Sequence, residues 1–240
     1  MQESLGISLV SLNKKINLEM IKKFEELAFS FFHIHSVIPT YWFVHGKGFS
    51  EKYTKFTQKK LLNLSKKKYV DKDAQIIQSL GFCVTTASSD APAYDAFCNF
   101  DIGYEEYKSE LKVSLLIDLN YISINKIKLA ELINQMSDLF EVDFGYVYFH
   151  ENYSHVEAVV EEVDDDKFSE EEYNKFLKWY RYTNDEKLKN IRDVYPINIL
   201  NRKYFSDVID ELSEVNGLKV QRLESDILIC LAKNDYVKYL

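Results

Sequence analysis

The sequence predicts an α+β protein in which antiparallel or mixed sheets carry helices packed on one face, as two lobes of one compact body. Stretches with helical spacing of apolar residues alternate with short β-branched and aromatic runs, which indicates both element types. The 240 residues are 46% hydrophobic and include 17 Tyr and 16 Phe, enough to bury a large core. With 7 Gly and 3 Pro, collagen-like and Pro-rich designs are excluded.

Apolar periodicity predicts three helices in the first part of the chain. Residues 18–33 have a wide apolar face, and residues 51–68 place leucines inside and lysines outside. Residues 72–80 are predicted to form a short helix that Gly81 ends as a left-handed cap. The strands predicted around these helices are Val37 to Val44, Phe82 to Ala87, Tyr94 to Ile102 and Leu111 to Leu119.

The second part of the chain begins with a helical period from Ile122 to Phe140, followed by a strand from Asp143 to Phe149. Two capping boxes then predict helix starts, because Ser or Thr is followed three residues later by Glu. The remaining predicted elements are these: helices beginning near 170 and after Thr183, an extended segment Val194 to Leu200, a helix from Tyr204 to Leu212, and a hairpin of Leu218 to Leu223 with Ile227 to Leu231.

The domain organisation follows from this order of elements. We expect an N-terminal lobe over residues 1–150 and a C-terminal lobe over 151–240, with a single domain as the alternative. Met1 to Asn13 has no basic stretch or small-residue cleavage site, so a signal peptide is not expected. No apolar run approaches the roughly 20 residues that span a bilayer, so we expect no membrane insertion and a cytoplasmic location.

Charge is distributed unevenly along the chain. Residues 1–80 carry a balance of +6 and residues 81–186 a balance of −15, within a total of −8. An acidic excess argues against nucleic acid as the main partner, because phosphate contacts require clustered Lys and Arg. The dense basic run Lys66-Lys67-Lys68 has no interleaved aromatics and is typical of a solvated helix end.

Motifs for catalysis or cofactors are not found in the sequence. Cys83, Cys98 and Cys230 lie in apolar surroundings, which favours buried reduced thiols. The pairs His33 and His35, and His150 and His155, do not have the i, i+4 spacing that binds zinc on a helix. No GxSxG, GxxxxGK[ST] or GxGxxG occurs. We therefore expect no metal, no cofactor and no catalytic residues.

One segment carries a family resemblance. Arg192-Asp193-Val194-Tyr195-Pro196-Ile197-Asn198 follows a strand of the type Phe144-Gly145-Tyr146-Val147-Tyr148. This order resembles bacterial immunity proteins, specifically the immunity family numbered fifty-two, and is similar to immunity proteins found beside type VI secretion effectors. The resemblance covers about residues 143–205. Two roles stay open for the motif residues, a structural core or a contact surface: Arg192, Asp193, Tyr195, Pro196 and Asn198.

The resemblance implies a protein that binds and neutralises a cognate secreted toxin in the cytoplasm without catalysis. The expected partner is that toxin, and the expected state is a monomer or small homo-oligomer. The alternative is a small hydrolase or nucleotide-processing enzyme whose scattered carboxylates converge in the fold. A structural adaptor without a toxin is a third possibility.

An acidic stretch from residue 157 to residue 172 is the candidate toxin-binding surface, since many toxins that attack nucleic acids are basic. Lys167 is its one basic residue. The alternative is a solvated loop followed by a helix start that the helix dipole favours. Its acidic residues are Glu157, Glu161, Glu162, Asp164, Asp165, Asp166, Glu170, Glu171 and Glu172.

Overall fold

The structure is a computed structural model that describes residues 4–49, 52–64, 66, 77–86, 96–123, 127–161, 168–190, 195–207, 219–222 and 227–231. Ten strands occur in these ranges: β1 Ser4–Leu12, β2 Tyr41–Gly46, β3 Thr54–Lys55, β4 Ile77–Thr85, β5 Ala96–Glu105, β6 Glu110–Asp118, β7 Phe144–His150, β8 Ile197–Asn201, β9 Lys219–Arg222 and β10 Ile227–Leu231. The bounded helices are α1 Leu18–Ile34, α2 Gln58–Leu64, α3 Leu129–Phe140, α4 Tyr153–Glu161, α5 Glu170–Tyr180 and α6 Asn184–Lys187.

All ten described strands form one sheet in the order β3-β2-β4-β5-β6-β1-β7-β8-β10-β9. Every pairing between neighbours is antiparallel. The α+β class with an antiparallel sheet is therefore confirmed. β7 pairs with β8, so the sheet continues across the expected lobe boundary at 150/151. The division into two lobes stays a prediction.

Helices lie on both faces of the sheet, whereas the sequence had predicted them on one. Successive side chains of β1 point to opposite faces. Leu5, Ile7 and Leu9 belong to the large core that includes residues of α1 and α3. On the other face, Val10 packs in a cluster with Trp179 of α5, and α4 packs against β1, β6 and β7. The second layer of helices is what creates the candidate site described below.

Close approach of α4 to the sheet depends on Gly6 of β1. A Cβ atom at Gly6 would lie 2.4 Å from Val160 and 2.5 Å from Val156, far inside van der Waals contact. Both valines are buried. The glycine therefore lets the apolar side of α4 lie directly on the sheet.

The predicted helix over 72–80 is wrong where the structure describes it, because Ile77–Thr85 is strand β4. Gly81 lies inside this strand, paired with Phe43 on one side and Asp101 on the other. Residues 72–76 of that predicted helix lie outside the described residues. Among the described helices, none has the length and apolar character needed to cross a membrane.

Other elements are confirmed with shifted ends. The helix over 18–33 is α1, and β5, β6 and β7 match the strands predicted over 94–102, 111–119 and 143–149. Two of the predicted helices are shorter than expected, since α2 begins at Gln58 and α3 at Leu129. Both capping boxes form, at Ser169 with Glu172 and at Thr183 with Glu186. The C-terminal hairpin is confirmed as β9 paired with β10.

Candidate functional site: a polar cleft between the sheet and two helices

The α4 helix carries two carboxylates to the polar part of the sheet. Glu157 and Glu161 are four residues apart and therefore share one side of the helix. Glu161 accepts a hydrogen bond from Ser114 Oγ at 2.6 Å and forms an ion pair with Lys112 Nζ at 3.1 Å. Lys112 also donates to the backbone oxygen of Val160 at 3.3 Å. These contacts join the end of α4 to β6.

Asp101 of β5 lies beside this pair, opposite Ser114 in the sheet register. The residue keeps a minor exposed surface, but its Oδ1 is fully buried and has no hydrogen-bond partner among the described residues. Burial, followed by the negative charges of Glu161 and Glu157, raises the pKa of Asp101 well above its usual value, and Lys112 offsets part of this. The environment thus favours the protonated form of Asp101.

Gly81 of β4 provides the space that the Asp101 carboxyl group occupies. A Cβ atom at Gly81 would lie 1.8 Å from Asp101 Oδ1 and 2.2 Å from the Phe43 ring. Any larger residue would therefore displace the carboxyl group or the ring. This explains why a glycine stands in the interior of a strand, where it otherwise weakens the sheet.

Burial also raises the pKa values of other groups around the carboxylates. Burial, with a contribution from Glu161, raises the pKa of Glu157 to about 7. Burial, then the charge of Asp101, raises the pKa of the Cys83 thiol to about 12, so this cysteine is not activated as a nucleophile. Burial also raises the pKa values of Tyr53 and Tyr153. Cys83 and Cys98 are free and buried, as predicted, and the side chain of Cys230 lies outside the described residues.

A cleft of about 690 Å³ opens next to this cluster, between the sheet and the α4 and α5 helices. Ser79 of β4 lies opposite Gly103 of β5, which lies opposite Lys112 of β6. A Cβ atom at Gly103 would meet the Ser79 Cβ at 3.6 Å, an ordinary contact. The sheet therefore presents a bare floor at Gly103, one step along the same face from Asp101, and Glu161 lines the wall.

The mouth of the cleft is formed by an aromatic pair, which we call the tyrosine rim. It consists of Tyr107 in the β5–β6 turn and Tyr180 at the end of α5, whose hydroxyl oxygens are 2.6 Å apart. Tyr107 is 69% exposed and Tyr180 is 44% exposed. Lys108 Nζ lies 4.0 Å from the centroid of the Tyr180 ring and bonds Glu105 at 2.8 Å. Large aromatic surface is thus left open to solvent beside a polar cavity.

The described residues of the predicted acidic stretch lie in two different places, on α4 and at the start of α5. Glu157 and Glu161 are half-buried and belong to the cluster at the sheet, whereas Glu170 and Glu171 are exposed on the first turn of α5. Glu172 closes the capping box with Ser169, and its side-chain hydrogen bond to Ser169 lowers its pKa. The predicted residues Glu162, Asp164, Asp165 and Asp166 lie outside the described residues.

Of the motif residues that the structure describes, Tyr195 and Asn198 are buried and Pro196 is partly exposed. Tyr195 stacks on Tyr146 with ring centroids 4.1 Å apart. Asn198 Nδ2 donates to the Tyr195 backbone oxygen at 2.9 Å, and Asn198 Oδ1 accepts from the Tyr195 backbone nitrogen at 3.3 Å. Pro196 lies between them, just before β8, and Arg192 and Asp193 lie outside the described residues. These contacts are typical of a segment that positions β8.

Histidines and carboxylates of the described ranges do not form a group of three or more arranged to hold a metal ion. His150 and His155, which the sequence pairs, do lie close together, with ring centroids 4.3 Å apart. His155 Nε2 also lies 3.6 Å from Glu172 Oε1. This contact joins α4 to the start of α5.

Sequence reasoning missed Asp101 of the buried cluster and most of the cleft lining, including Gly103, Tyr107, Lys112 and Tyr180. One signal was available, because Asp101 interrupts an apolar strand between the fully buried Phe100 and Ile102. A charged residue inside such a strand indicates a special environment. Its partners could not be inferred, since they come from segments distant in sequence.

Comparison with known proteins finds a shared fold. Neither a protein-family profile nor a curated protein sequence matches this chain. Among solved structures, the T6SS protein PA0821 of Pseudomonas aeruginosa matches 96% of this chain with a TM-score of 0.61 and 13% identity. This chain spans 65% of the length of that protein. At such low identity the likeness shows the fold alone.

A second match is a chain from the crystal structure of the toxic C-terminal tip of CdiA from Pseudomonas aeruginosa in complex with immune protein. It covers 64% of this chain and 90% of its own length at 16% identity, and its TM-score of 0.30 is too low for a structural conclusion. The comparisons therefore show the fold that this chain shares with the T6SS protein PA0821.

Proposed function

We propose that this chain is an immunity protein that binds a cognate secreted toxin and neutralises it by protein–protein contact, without catalysis. The observation that carries the proposal is the tyrosine rim at the mouth of the polar cleft. The resemblance over residues 143–205 and the fold shared with a T6SS protein support it. The proposal includes a cytoplasmic location, no cofactor, no nucleic-acid or membrane partner, and a monomer or small homo-oligomer.

The tyrosine rim has the properties of a binding hot spot. Tyr, Trp and Arg dominate the energetics of protein interfaces because their large, stiff side chains bury much area at low entropic cost. Tyr107 and Tyr180 already support each other through their hydroxyl groups, so the rim is preorganised. We infer that the toxin covers both rings and reaches into the cleft behind them.

Charge complements this aromatic contact. Tyr180 ends α5, and Glu170 and Glu171 are exposed at the other end of the same helix. The segment 81–186, which supplies most residues of the cleft lining, has a balance of −15. Such a field steers a basic partner and raises the association rate, while the buried contacts set the lifetime of the complex. We therefore expect the toxin to present a basic surface.

Coexpression with the product of a neighbouring gene that has the features of a secreted toxin tests the proposal. We expect the chain to restore growth of cells that make the toxin, and the two purified proteins to form a stoichiometric complex by calorimetry. The variant Tyr107→Ala/Tyr180→Ala should weaken the complex at least about tenfold, because two anchoring rings are removed.

The matched control is Tyr121→Ala. Tyr121 is also exposed, at 55%, but it follows the opposite end of β6 from Tyr107. Binding that is lost in both variants to the same extent would argue against the tyrosine rim as the contact. A toxin that neither binds this chain nor is neutralised by it would refute the proposed function.

The enzyme alternative has one observation in its favour, because the carboxyl groups of Asp101, Glu157 and Glu161 do lie near one another in the fold, with Lys112 beside Asp101 and Glu161. Carboxyl groups with raised pKa values are also found where general acids act. Assays with nucleotides and activated esters, comparing the parent with Glu161→Gln, test this function. Substrate turnover by the parent that is lost in Glu161→Gln would replace the binding proposal with an enzyme. Absence of turnover by the parent, together with neutralisation of the toxin by Glu161→Gln, would favour the binding proposal.

A further inference from the structure

One edge of the described sheet has a strongly basic surface. It is formed by β3, the edge strand, and by α2, which follows β3 in the chain. No Asp or Glu stands in the described residues between Glu26 and Asp101. None of the lysines at this edge forms an ion pair with another described residue. We call this surface the basic edge, and its exposed lysines are Lys52, Lys55, Lys59, Lys60 and Lys66.

Aliphatic side chains are exposed at the same edge. In the described part of the chain, the exposed large aliphatic side chains are those of Ile34, Ile38 and Leu62, and Ile38 is 76% exposed. Leu62 lies on α2 itself. The Thr40 backbone oxygen accepts from the Phe56 amide at 2.7 Å, so the segment that carries Ile38 lies beside the segment that leads into α2. Apolar surface rimmed by polar groups is typical of interaction sites.

The basic edge is anchored to the large core from one side. Leu61 of α2 is buried in that core. The Phe56 ring, just before α2, lies 5.8 Å from the ring of Phe29 on α1 and 6.2 Å from the ring of Phe82 on β4, measured between centroids. These contacts fix the position of α2, so little ordering is needed when its exposed side binds a partner.

We propose that the basic edge binds an acidic segment of a second protein, in which carboxylates alternate with aliphatic side chains. The carboxylates complement lysines that have no counter-charge among the described residues, and the aliphatic side chains cover Ile38 and Leu62. The basic edge shares no residue with the cleft or the tyrosine rim. This partner is therefore distinct from the basic toxin expected there, and the inference goes beyond the proposed function.

Nucleic acid and membrane fit the basic edge less well. The edge offers lysine but no arginine in its described residues, and the chain carries a net charge of −8, which phosphate groups repel. A helix that lies on a bilayer needs a continuous apolar face on its solvent side. Leu62 is the one apolar residue of α2 that is exposed, so α2 lacks such a face.

A defined peptide tests the basic edge without knowledge of the natural partner. The probe consists of three Glu-Glu-Leu-Leu repeats and carries a fluorescent label for anisotropy measurements with the full chain. We expect a Kd of about 10–100 µM at low salt, the range of a small interface. One analogue has Gln for every Glu and a second has Ala for every Leu, and each should bind at least about tenfold more weakly. Equal binding of either analogue would overturn the inference.

Two variants and a control of equal charge locate the contact. Lys55→Glu/Lys59→Glu should weaken peptide binding at least about tenfold, and Leu62→Ser at least about threefold. Lys178→Glu/Lys189→Glu makes the same change in net charge at exposed positions on and after α5, and should bind as the parent does. An unchanged Tm shows that each variant is folded. An equal loss of binding in the two double variants would reduce the effect to net charge and contradict a site at the basic edge.

The other partners are tested with the same proteins. Vesicles of phosphatidylserine and phosphatidylcholine and a DNA duplex should bind the parent more weakly than the peptide does. Tighter binding of either, lost in Lys55→Glu/Lys59→Glu, would assign the edge to a membrane or to nucleic acid instead. The same variant should still neutralise the toxin, since the tyrosine rim is intact. Loss of neutralisation would place the toxin on the basic edge and overturn the assignment to a separate partner, whereas the proposed function would stand.

Discussion

Replacing Lys187 by methionine should destabilise the protein strongly, because the change would leave the Glu110 carboxylate buried without its cation. Lys187 is 1% exposed and Glu110 is 7% exposed. The lysine Nζ bonds a Glu110 oxygen and lies 5.4 Å from the centroid of the Trp179 ring. The four-residue helix α6, fixed at its start by the Thr183 capping box, holds the lysine in this position.

The magnitude follows from the burial of both charges. Removing one partner of a buried ion pair costs about 3–5 kcal/mol, whereas replacing both by apolar residues of similar volume is often neutral or stabilising. Lys187→Met retains most of the aliphatic stem, so lost packing contributes little. We therefore expect a loss of about 3–5 kcal/mol for Lys187→Met and recovery of most of it in Glu110→Leu/Lys187→Met.

Urea unfolding followed by tryptophan fluorescence measures these free energies, and Trp179 reports directly on the surroundings of Lys187. Lys189→Met is the matched control, because Lys189 is exposed two residues further on and should change stability by no more than about 0.5 kcal/mol. If Lys187→Met cost less than about 1 kcal/mol, the pair would have to be hydrated in solution and the reasoning from burial would fail.

Four further predictions concern caps, protons, metals and association. Ser169→Ala should cost about 1 kcal/mol in urea unfolding, since the Glu172 amide loses its acceptor; no effect would mean that α5 begins elsewhere. Because the pKa of Glu157 is raised from 4.5 to about 7, wild-type stability should fall by up to about 3 kcal/mol as pH rises across that interval, and Glu157→Gln should flatten this slope. Treatment with a chelator should leave the Tm unchanged, and a drop of many degrees would contradict the metal-free prediction. Reversing residues 164–166 to lysine should slow association with the toxin and weaken its salt dependence, and an unchanged rate at low salt would move the interface elsewhere.

The elements that sequence reasoning predicted are those with strong local signals. α1 repeats apolar residues over four turns and has an Asn17 side chain that accepts from the Met20 amide. The starts of α5 and α6 follow from capping boxes whose members are three residues apart. Because such signals are complete within a few residues, they do not depend on the rest of the fold.

The prediction of a helix at 72–80 was wrong because residues distant in the sequence determine the role of Gly81. A glycine after an apolar stretch is the usual mark of a helix end, and Gly81 fits that pattern. In the fold its small size makes room for Asp101 and Phe43, which belong to two other strands.

β1 had a visible alternation of Leu5, Ile7 and Leu9 with small residues, but nothing local shows that it is a central strand covered on both faces.

The acidic stretch shows why a charge pattern alone could not define the site. Glu157 and Glu161 look in the sequence like Glu170 and Glu171, yet α4 must lay Val156 and Val160 on Gly6, and this turns its two carboxylates toward β5 and β6. Because these two carboxylates are half-buried, they do not act as freely solvated charges, and their electrostatic effect is largest on groups inside or next to the cleft. The exposed glutamates of α5 have no such constraint and act on the approach of a charged partner. Residues that look alike in one acidic run therefore have two different roles. The packing of the apolar side of α4 decides which of them are buried beside the cleft and which stay exposed to solvent.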